Sequence, residues 1–236
     1  MSRQLPLNLR LKDGSSFENY LSGGNASVVE HLRAAIVRLA RGEKSETVLF
    51  LRGPAGTGRT HLLQAACREI HNAGLGAMYV PLGEASIVPA LLEDLEGVAL
   101  VCLDDVERIA GNEEWERALF ALVERLRVAG GMLVAAGARP PRELGLKLPD
   151  LATRLGWGAV YALRPLDDAG RIGAVQLRAR NRGLEMPDDV ARYILARYPR
   201  DLDSLFALLD RLDTASFAEQ RRLTIPFLRR FEEQRP

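Results

Sequence analysis

The chain has 236 residues, 47% of them hydrophobic, enough for a substantial core and for one large or two modest domains. Its 32 basic and 31 acidic residues leave a net charge of +1, so no global field favours nucleic acid or an acidic membrane. The N-terminus lacks the apolar stretch of a leader peptide, and no apolar run approaches the ~18 residues of a membrane span. Two cysteines, Cys67 and Cys102, fall in core-like segments. The expectation is a cytoplasmic protein with reduced thiols and no membrane association.

In chain order, TVLFL (47–51) is a short apolar, β-branched run that predicts a buried strand. GPAGTGRT (53–60) follows, and THLLQAACREI (60–70) predicts a helix of good formers. AMYVPL (77–82) predicts a strand and IVPALLEDL (87–95) a short helix. VALVCLDD (98–105) predicts an apolar strand ending in two carboxylates. WERALFALVERLRVAG (115–130) has apolar residues at helical spacing and ends at a glycine pair. GMLVAAGA (131–138) and AVYAL (159–163) predict the last two strands. Strands alternating with helices imply a parallel sheet covered on both faces. Beyond Arg164-Pro165 the pattern is helical only, over 167–183, 187–198 and 201–217, with Gly183 at an expected helix end and Pro187 at an expected start. Residues 166–236 therefore predict a small helical domain appended to an α/β core. The histidines His31, His61 and His71 fall on expected helices, without the spacing of a metal site.

The segment from Gly53 to Thr60 carries the chemistry. It follows the phosphate-loop pattern G-x-x-x-x-G-K-[ST] except that Arg59 replaces the lysine. Gly53, Gly56 and Gly58 leave a backbone free of side chains, so that N–H groups converge on phosphate oxygens at a helix N-terminus. Thr60 offers a hydroxyl to the magnesium ion that bridges the phosphates. Arginine keeps the charge of lysine, but its guanidinium is larger, planar and forked, so the exchange is not conservative. These residues describe a pocket that binds nucleotide and is poorly equipped to hydrolyse it. A tight strand–helix turn is the plainer alternative, and the strand–glycine loop–helix context favours the nucleotide. Asp104 and Asp105 end the next apolar strand, where a carboxylate can hold Mg²⁺ directly or through water. An Asp pair after a strand also simply starts turns, so this signal depends on the upstream loop.

These words in this order resemble an AAA+ protein, in particular the AAA+ module of the bacterial replication initiator DnaA. FENYLSGGN (17–25) resembles the segment that lies against the nucleotide base, and GPAGTGRTHLL the phosphate loop. LVCLDDV resembles the acidic strand, and ARPPREL (138–144) the segment after the fourth strand. LPDLATRLGWG (148–158) resembles the segment with the arginine finger, and YPRDLDSLFALLDRL (198–212) the lid helix with the second sensor. The implied fold is a P-loop AAA+ core, 17–165, with a five-stranded parallel sheet flanked by helices, plus a C-terminal all-helical lid, 166–236.

Only 36 residues follow Arg200, too few for the helix-turn-helix domain with which DnaA reads DNA. The opening SRQLPLNL is similar to the Q-L-x-L-x-L motif that docks proteins on the bacterial DNA polymerase sliding clamp. Gln4, Leu5, Leu7 and Leu9 take its positions within an N-terminal segment, 1–16. This combination resembles Hda-type DnaA-homologous regulatory proteins, in which arginine at the phosphate-loop position also occurs. The resemblance implies a protein bound to ADP, with ATP or another nucleotide the other candidates, and Mg²⁺. It implies docking on the sliding clamp, contact with DNA only through the clamp, and stimulation of ATP hydrolysis by DnaA. Homo-oligomerisation through AAA+ contacts stays open.

The implied site residues are Gly53, Gly56, Thr57, Gly58, Arg59, Thr60, His61, Asp104, Asp105, Tyr20 and Arg200 for the nucleotide, with Thr60 and Asp104 serving the metal. Arg154 is the implied arginine finger, acting on a neighbouring molecule's ATP. From spacing alone, Arg154 reads first as an ordinary helix arginine paired with Asp150 or another surface acid, and Arg200 reads also as a helix-flanking arginine near Asp201 and Asp203. Phe17 and Tyr20 suit either the adenine or the core. Ala138 stands near an expected polar first sensor and cannot replace it. Two other readings remain: a stand-alone P-loop ATPase of the helicase-loader type, and a non-catalytic DNA-binding adaptor using Arg178, Arg180 and Arg182.

Overall fold

The computed structural model describes residues 15–43, 45–219 and 222–233. The expected clamp-binding residues Gln4, Leu5, Leu7 and Leu9 lie outside them. The chain divides into two compact units, one built on Asn25–Arg164 with the stretch before Leu21, the other on Leu21–Gly24 and the chain from Pro165 onward.

The first unit is a five-stranded sheet between two helical layers. Its strands are β1 (Val48–Arg52), β2 (Ala77–Pro81), β3 (Leu100–Asp104), β4 (Met132–Gly137) and β5 (Val160–Ala162), in the order β2-β3-β4-β1-β5. Every pairing is parallel. Val48 pairs with Leu133 and Leu51 with Ala136, so the ends of β1 and β4 lie side by side. Strand alternation divides the core. Leu49 and Leu51 face helices α1 (Ala26–Ala40) and α2 (Arg59–Asn72), whereas Val48 and Phe50 face α3 (Glu113–Ala129) and α4 (Pro149–Leu155). Burying Phe50 completely contributes about 1.5–3 kcal/mol, and the strands repeat this on both faces. β5 has only three residues and sits at the sheet edge, which is why it is shorter than the apolar run 159–163 predicts.

Local signals set the helix ends. Asn112 Oδ1 accepts from the backbone N–H of Glu114 and Trp115 and starts α3, while Gly130, in the left-handed region at φ 77°, ends it. The helix expected over 87–95 does not form. Two short 3₁₀ turns, Pro89–Leu92 and Leu95–Gly97, take its place. Pro89 forces Val88 into an extended conformation (φ −120°, ψ 155°), and Asp94 in the left-handed region breaks the segment again.

The second unit consists of α5 (Asp168–Arg180), α6 (Asp188–Arg197), α7 (Leu202–Glu219) and α8 (Ile225–Glu233) around their own core, which includes Val190, Ile194, Leu205, Leu209, Leu212 and Phe227. Asp167 caps α5 through the Gly170 N–H. Thr224 begins α8, its hydroxyl accepting from the Phe227 N–H. Within this unit Arg178 stacks on Phe206 and Arg182 pairs with Asp210. Both arginines have partners, so the triplet Arg178, Arg180 and Arg182 is not a row of unpaired cations.

Candidate functional site

The residues after β1 form the expected loop between strand and helix. Gly53 donates its N–H to the Gly137 carbonyl at 3.2 Å, which ties the loop to the end of β4. Gly56 and Gly58 have φ of 78° and 83°. Gly58 has a second reason to be glycine: a Cβ there would lie 2.5 Å from the Tyr20 ring. The Tyr20 hydroxyl donates to the Thr57 carbonyl at 2.9 Å, and Thr57 Oγ1 donates to the Pro54 carbonyl at 2.9 Å. Tyr20 thus belongs to the loop's scaffold, whereas Phe17 is buried in the core.

Asn25 completes this scaffold. It donates to the Tyr20 hydroxyl at 3.2 Å and to the Arg164 carbonyl at 2.9 Å, and accepts from the Arg164 N–H at 2.8 Å. The sequence places Asn25 at the end of the 17–25 segment but does not disclose this clamp between residues 139 positions apart. His61 lies in the first turn of α2, with Nε2 2.8 Å from the Ser16 carbonyl and its ring 5.6 Å from that of Tyr20.

The two groups expected to serve the metal meet directly. β4 lies between β1 and β3, but α2 packs across β3 and carries Thr60 to the strand's end. There Thr60 donates to Asp104 Oδ2 at 2.5 Å, a short charge-assisted bond. Tyr79 donates to the same oxygen at 3.0 Å, and the Asp105 N–H donates to Oδ1 at 3.0 Å. Burial, reinforced by the Asp104 charge and their hydrogen bond, pushes the Tyr79 hydroxyl well above its ordinary range, so it remains a donor. Among the described residues no cluster of three or more His, Cys, Asp or Glu forms a metal site without a nucleotide.

Arg59 faces acids. Its guanidinium lies 3.1 Å from Asp105 Oδ1 and 3.5 Å from Glu107 Oε1, and the side chain is only 11% exposed. Asp105 adopts a left-handed conformation (φ 55°, ψ 51°) tolerated by aspartate, which turns the chain into a 3₁₀ turn, Val106–Ile109. Burial raises the Asp105 carboxyl and the charge of Asp104 adds to it, while Arg59 acts in the opposite direction. Asp105 is therefore engaged with Arg59. Glu107 is a site residue that the sequence reading missed. Its signal was a third acid three residues past Asp104, in DDVE, where a helix face rather than a site is the usual reading.

Arg154 occupies a different region of the same unit. From the last turn of α4 its guanidinium stacks on Trp157, 3.9 Å from the ring centroid, and lies 5.2 Å from the centroid of Phe120. Its Nε is 3.0 Å from Glu124 Oε1. Of the acids open to it from the sequence, its partner is Glu124 on α3 rather than Asp150. Trp157 is 45% exposed, so this arginine is held at the surface by aromatic and acidic neighbours. Ala138 is exposed just past the end of β4 and offers no polar atom beyond its backbone.

Arg200 lies in the helical unit, where its Nη1 is 3.0 Å from Asp168 Oδ2. Asp168 also pairs with Arg171 at 2.6 Å. The partner is thus neither Asp201 nor Asp203; Asp201 instead accepts from the Ser204 N–H at 2.8 Å near the start of α7.

Residues 168–231 match the family described as Hda, lid domain. The fold matches AMPPCP-bound DnaA from Aquifex aeolicus at TM-score 0.72 and 24% identity, covering 89% of this chain and 68% of that one. It matches domain III of DnaA from Thermotoga maritima at TM-score 0.74 and 21% identity, covering 90% and 93%. A variant of RuvB from Thermotoga maritima matches at TM-score 0.67 and 19% identity, covering 92% and 73%. At these identities the structures share the AAA+ fold with this chain. Among the described residues no helix is long and apolar enough to cross a membrane.

Proposed function

We propose that this chain is an Hda-type AAA+ protein that regulates replication initiation by stimulating hydrolysis of the ATP bound to DnaA. The observation that carries the reading is the match of residues 168–231 to the Hda lid domain, on a fold shared with DnaA. In this reading the protein binds ADP and docks on the sliding clamp through Gln4, Leu5, Leu7 and Leu9. It then presents Arg154 to the nucleotide of a neighbouring DnaA.

The residues present fit a nucleotide and its metal. The loop 53–58 supplies backbone N–H groups, α2 adds the positive end of its dipole, and Thr60 and Asp104 already share a hydrogen bond where Mg²⁺ would be held. Mg²⁺ would neutralise phosphate charge there. Tyr20 and Asn25 hold the loop in shape. Arg200 would contribute from the lid.

Arg154 would stabilise charge on the phosphoryl group in transfer within the partner. The gain from a trans arginine finger is about 10³–10⁵ in rate in the best-characterised case, so one residue can account for the activity. Stacking on Trp157 limits the rotamers of Arg154, which lowers the entropy lost when it engages a phosphate, and Glu124 is the acid that such a phosphate would have to displace. The test is hydrolysis of DnaA-bound ATP with and without this protein, in the presence of ADP and clamp loaded on DNA.

A stand-alone ATPase of the helicase-loader type is the second reading, favoured by the Thr60–Asp104 pair. The engagement of Asp105 by Arg59 and the apolar Ala138 argue against it. Turnover by the purified protein alone distinguishes the two.

A further inference from the structure

Lysine at the phosphate-loop position ordinarily reaches the terminal phosphates. Here Arg59 stands in that position, and its fork spans two carboxylates, Asp105 at 3.1 Å and Glu107 at 3.5 Å. The second oxygen of Glu107 is informative. Oε2 is buried and has no hydrogen-bond partner among the described residues. It lies over the end of β4, where a Cβ on Gly137 would be 3.1 Å away. Gly137 in turn accepts the hydrogen bond from Gly53 that anchors the phosphate loop. Glu107 therefore sits between the arginine that should meet terminal phosphate and the strand end that borders the loop.

A buried carboxylate oxygen without a donor is costly, and is tolerated where another requirement holds it in place. Asp104, Asp105 and Glu107 carry three formal negative charges against two positive ones: Arg59, which pairs with Asp105 and Glu107, and Arg108, which acts on Asp105. A diphosphate would be served by the loop N–H groups and by a metal ion that Thr60 and Asp104 would hold. A third phosphate reaching Arg59, as terminal phosphates reach the lysine of this loop, would bring negative charge toward Glu107 and compete with the acid partners of Arg59.

We propose that Glu107 is a specificity-determining residue that sets the number of phosphates accepted: it holds Arg59 in place and disfavours a third phosphate, so the site selects nucleoside diphosphates over triphosphates. This rests on the reading of 53–60 as a nucleotide site. The two claims fail in different ways.

The experiment is calorimetric titration of the full chain with Mg-ADP and Mg-ATP, for the natural sequence, Glu107→Gln and Asp105→Asn. Glu107→Gln keeps shape and removes one charge; Asp105→Asn removes the other acid partner of Arg59 and carries the test if the first variant does not fold. Unfolding midpoints without nucleotide report folding. The natural protein binds ADP more tightly than ATP. Glu107→Gln raises ATP affinity on the order of tenfold, the effect of one unit charge about 6 Å away at an effective dielectric of about 40, and changes ADP affinity less than about threefold. Asp105→Asn shifts the ratio of the two affinities in the same direction. An unchanged ratio in folded variants that bind both nucleotides overturns the role of Glu107, as does equal affinity in the natural protein. Binding of neither nucleotide by the natural protein overturns the nucleotide site itself.

Discussion

Glu116 Oε2 accepts a hydrogen bond from the Leu148 backbone N–H at 2.7 Å, joining α3 to the turn that launches α4. Its other oxygen accepts from the N–H groups of Gly111 at 2.7 Å and Lys147 at 3.1 Å. One carboxylate, 1% exposed, thus fixes both the loop after β3 and the start of the helix that carries Arg154. Glu116→Ala would leave three backbone donors without their acceptor and is expected to destabilise the protein by about 3 kcal/mol. Glu116→Gln, which keeps one acceptor oxygen, is expected to cost roughly half as much. Urea unfolding measures both.

Gly58→Ala is expected to deform the phosphate loop. The residue is in the left-handed region at φ 83°, and the added methyl meets the Tyr20 ring. The strain costs about 1–3 kcal/mol, and nucleotide affinity is expected to fall by at least about tenfold, the counterpart of ~1.4 kcal/mol. Adding Tyr20→Ala relieves the clash but not the backbone strain, so the double variant recovers only part of the stability. Thermal unfolding with and without ADP reads both effects.

Metal removal tests the pair at the end of β3. If Thr60 and Asp104 serve Mg²⁺, ADP binds more tightly with Mg²⁺ than with a chelator present, and Thr60→Val or Asp104→Asn abolishes that difference. Titration of each protein with ADP in both conditions gives the comparison. Metal dependence that survives in both variants removes these residues from the role.

The glycine loop between β1 and α2 was legible because it is local: three glycines and a threonine between a strand and a helix are read in one short window. The sheet was legible for a similar reason, since β1, β3 and β4 are short apolar runs bounded by turns. The 3₁₀ turns at Pro89–Leu92 and Leu95–Gly97 were not, because helical composition concealed the effect of Pro89 on the residue before it. Partners distant in sequence were also hidden. Nothing in the chain pairs Asn25 with Arg164, Arg59 with Glu107 or Arg154 with Glu124; the fold brings them together. Glu116 is, by sequence, one charged residue among several on an amphipathic helix, and only the returning 147–148 segment gives it a buried role.

Trp157 is expected to matter for activity more than for stability. Nearly half exposed, it stacks on the Arg154 guanidinium at 3.9 Å. Trp157→Ala removes a contact of about 0.5–1 kcal/mol and is expected to leave the fold intact while lowering stimulation of DnaA severalfold. Trp157→Phe retains most of it. Equal stimulation by all three proteins would mean that the stack does not position Arg154.

The most direct measurement of the central claim is hydrolysis of DnaA-bound ATP, with clamp loaded on DNA and this protein supplied with ADP. The natural sequence, Arg154→Ala and a Gln4→Ala/Leu5→Ala double variant would be compared. The account predicts stimulation by the natural protein, its loss in folded Arg154→Ala, and a clamp-dependent loss in the double variant. No stimulation by the natural protein, folded and loaded with nucleotide, or undiminished stimulation by Arg154→Ala, would contradict it.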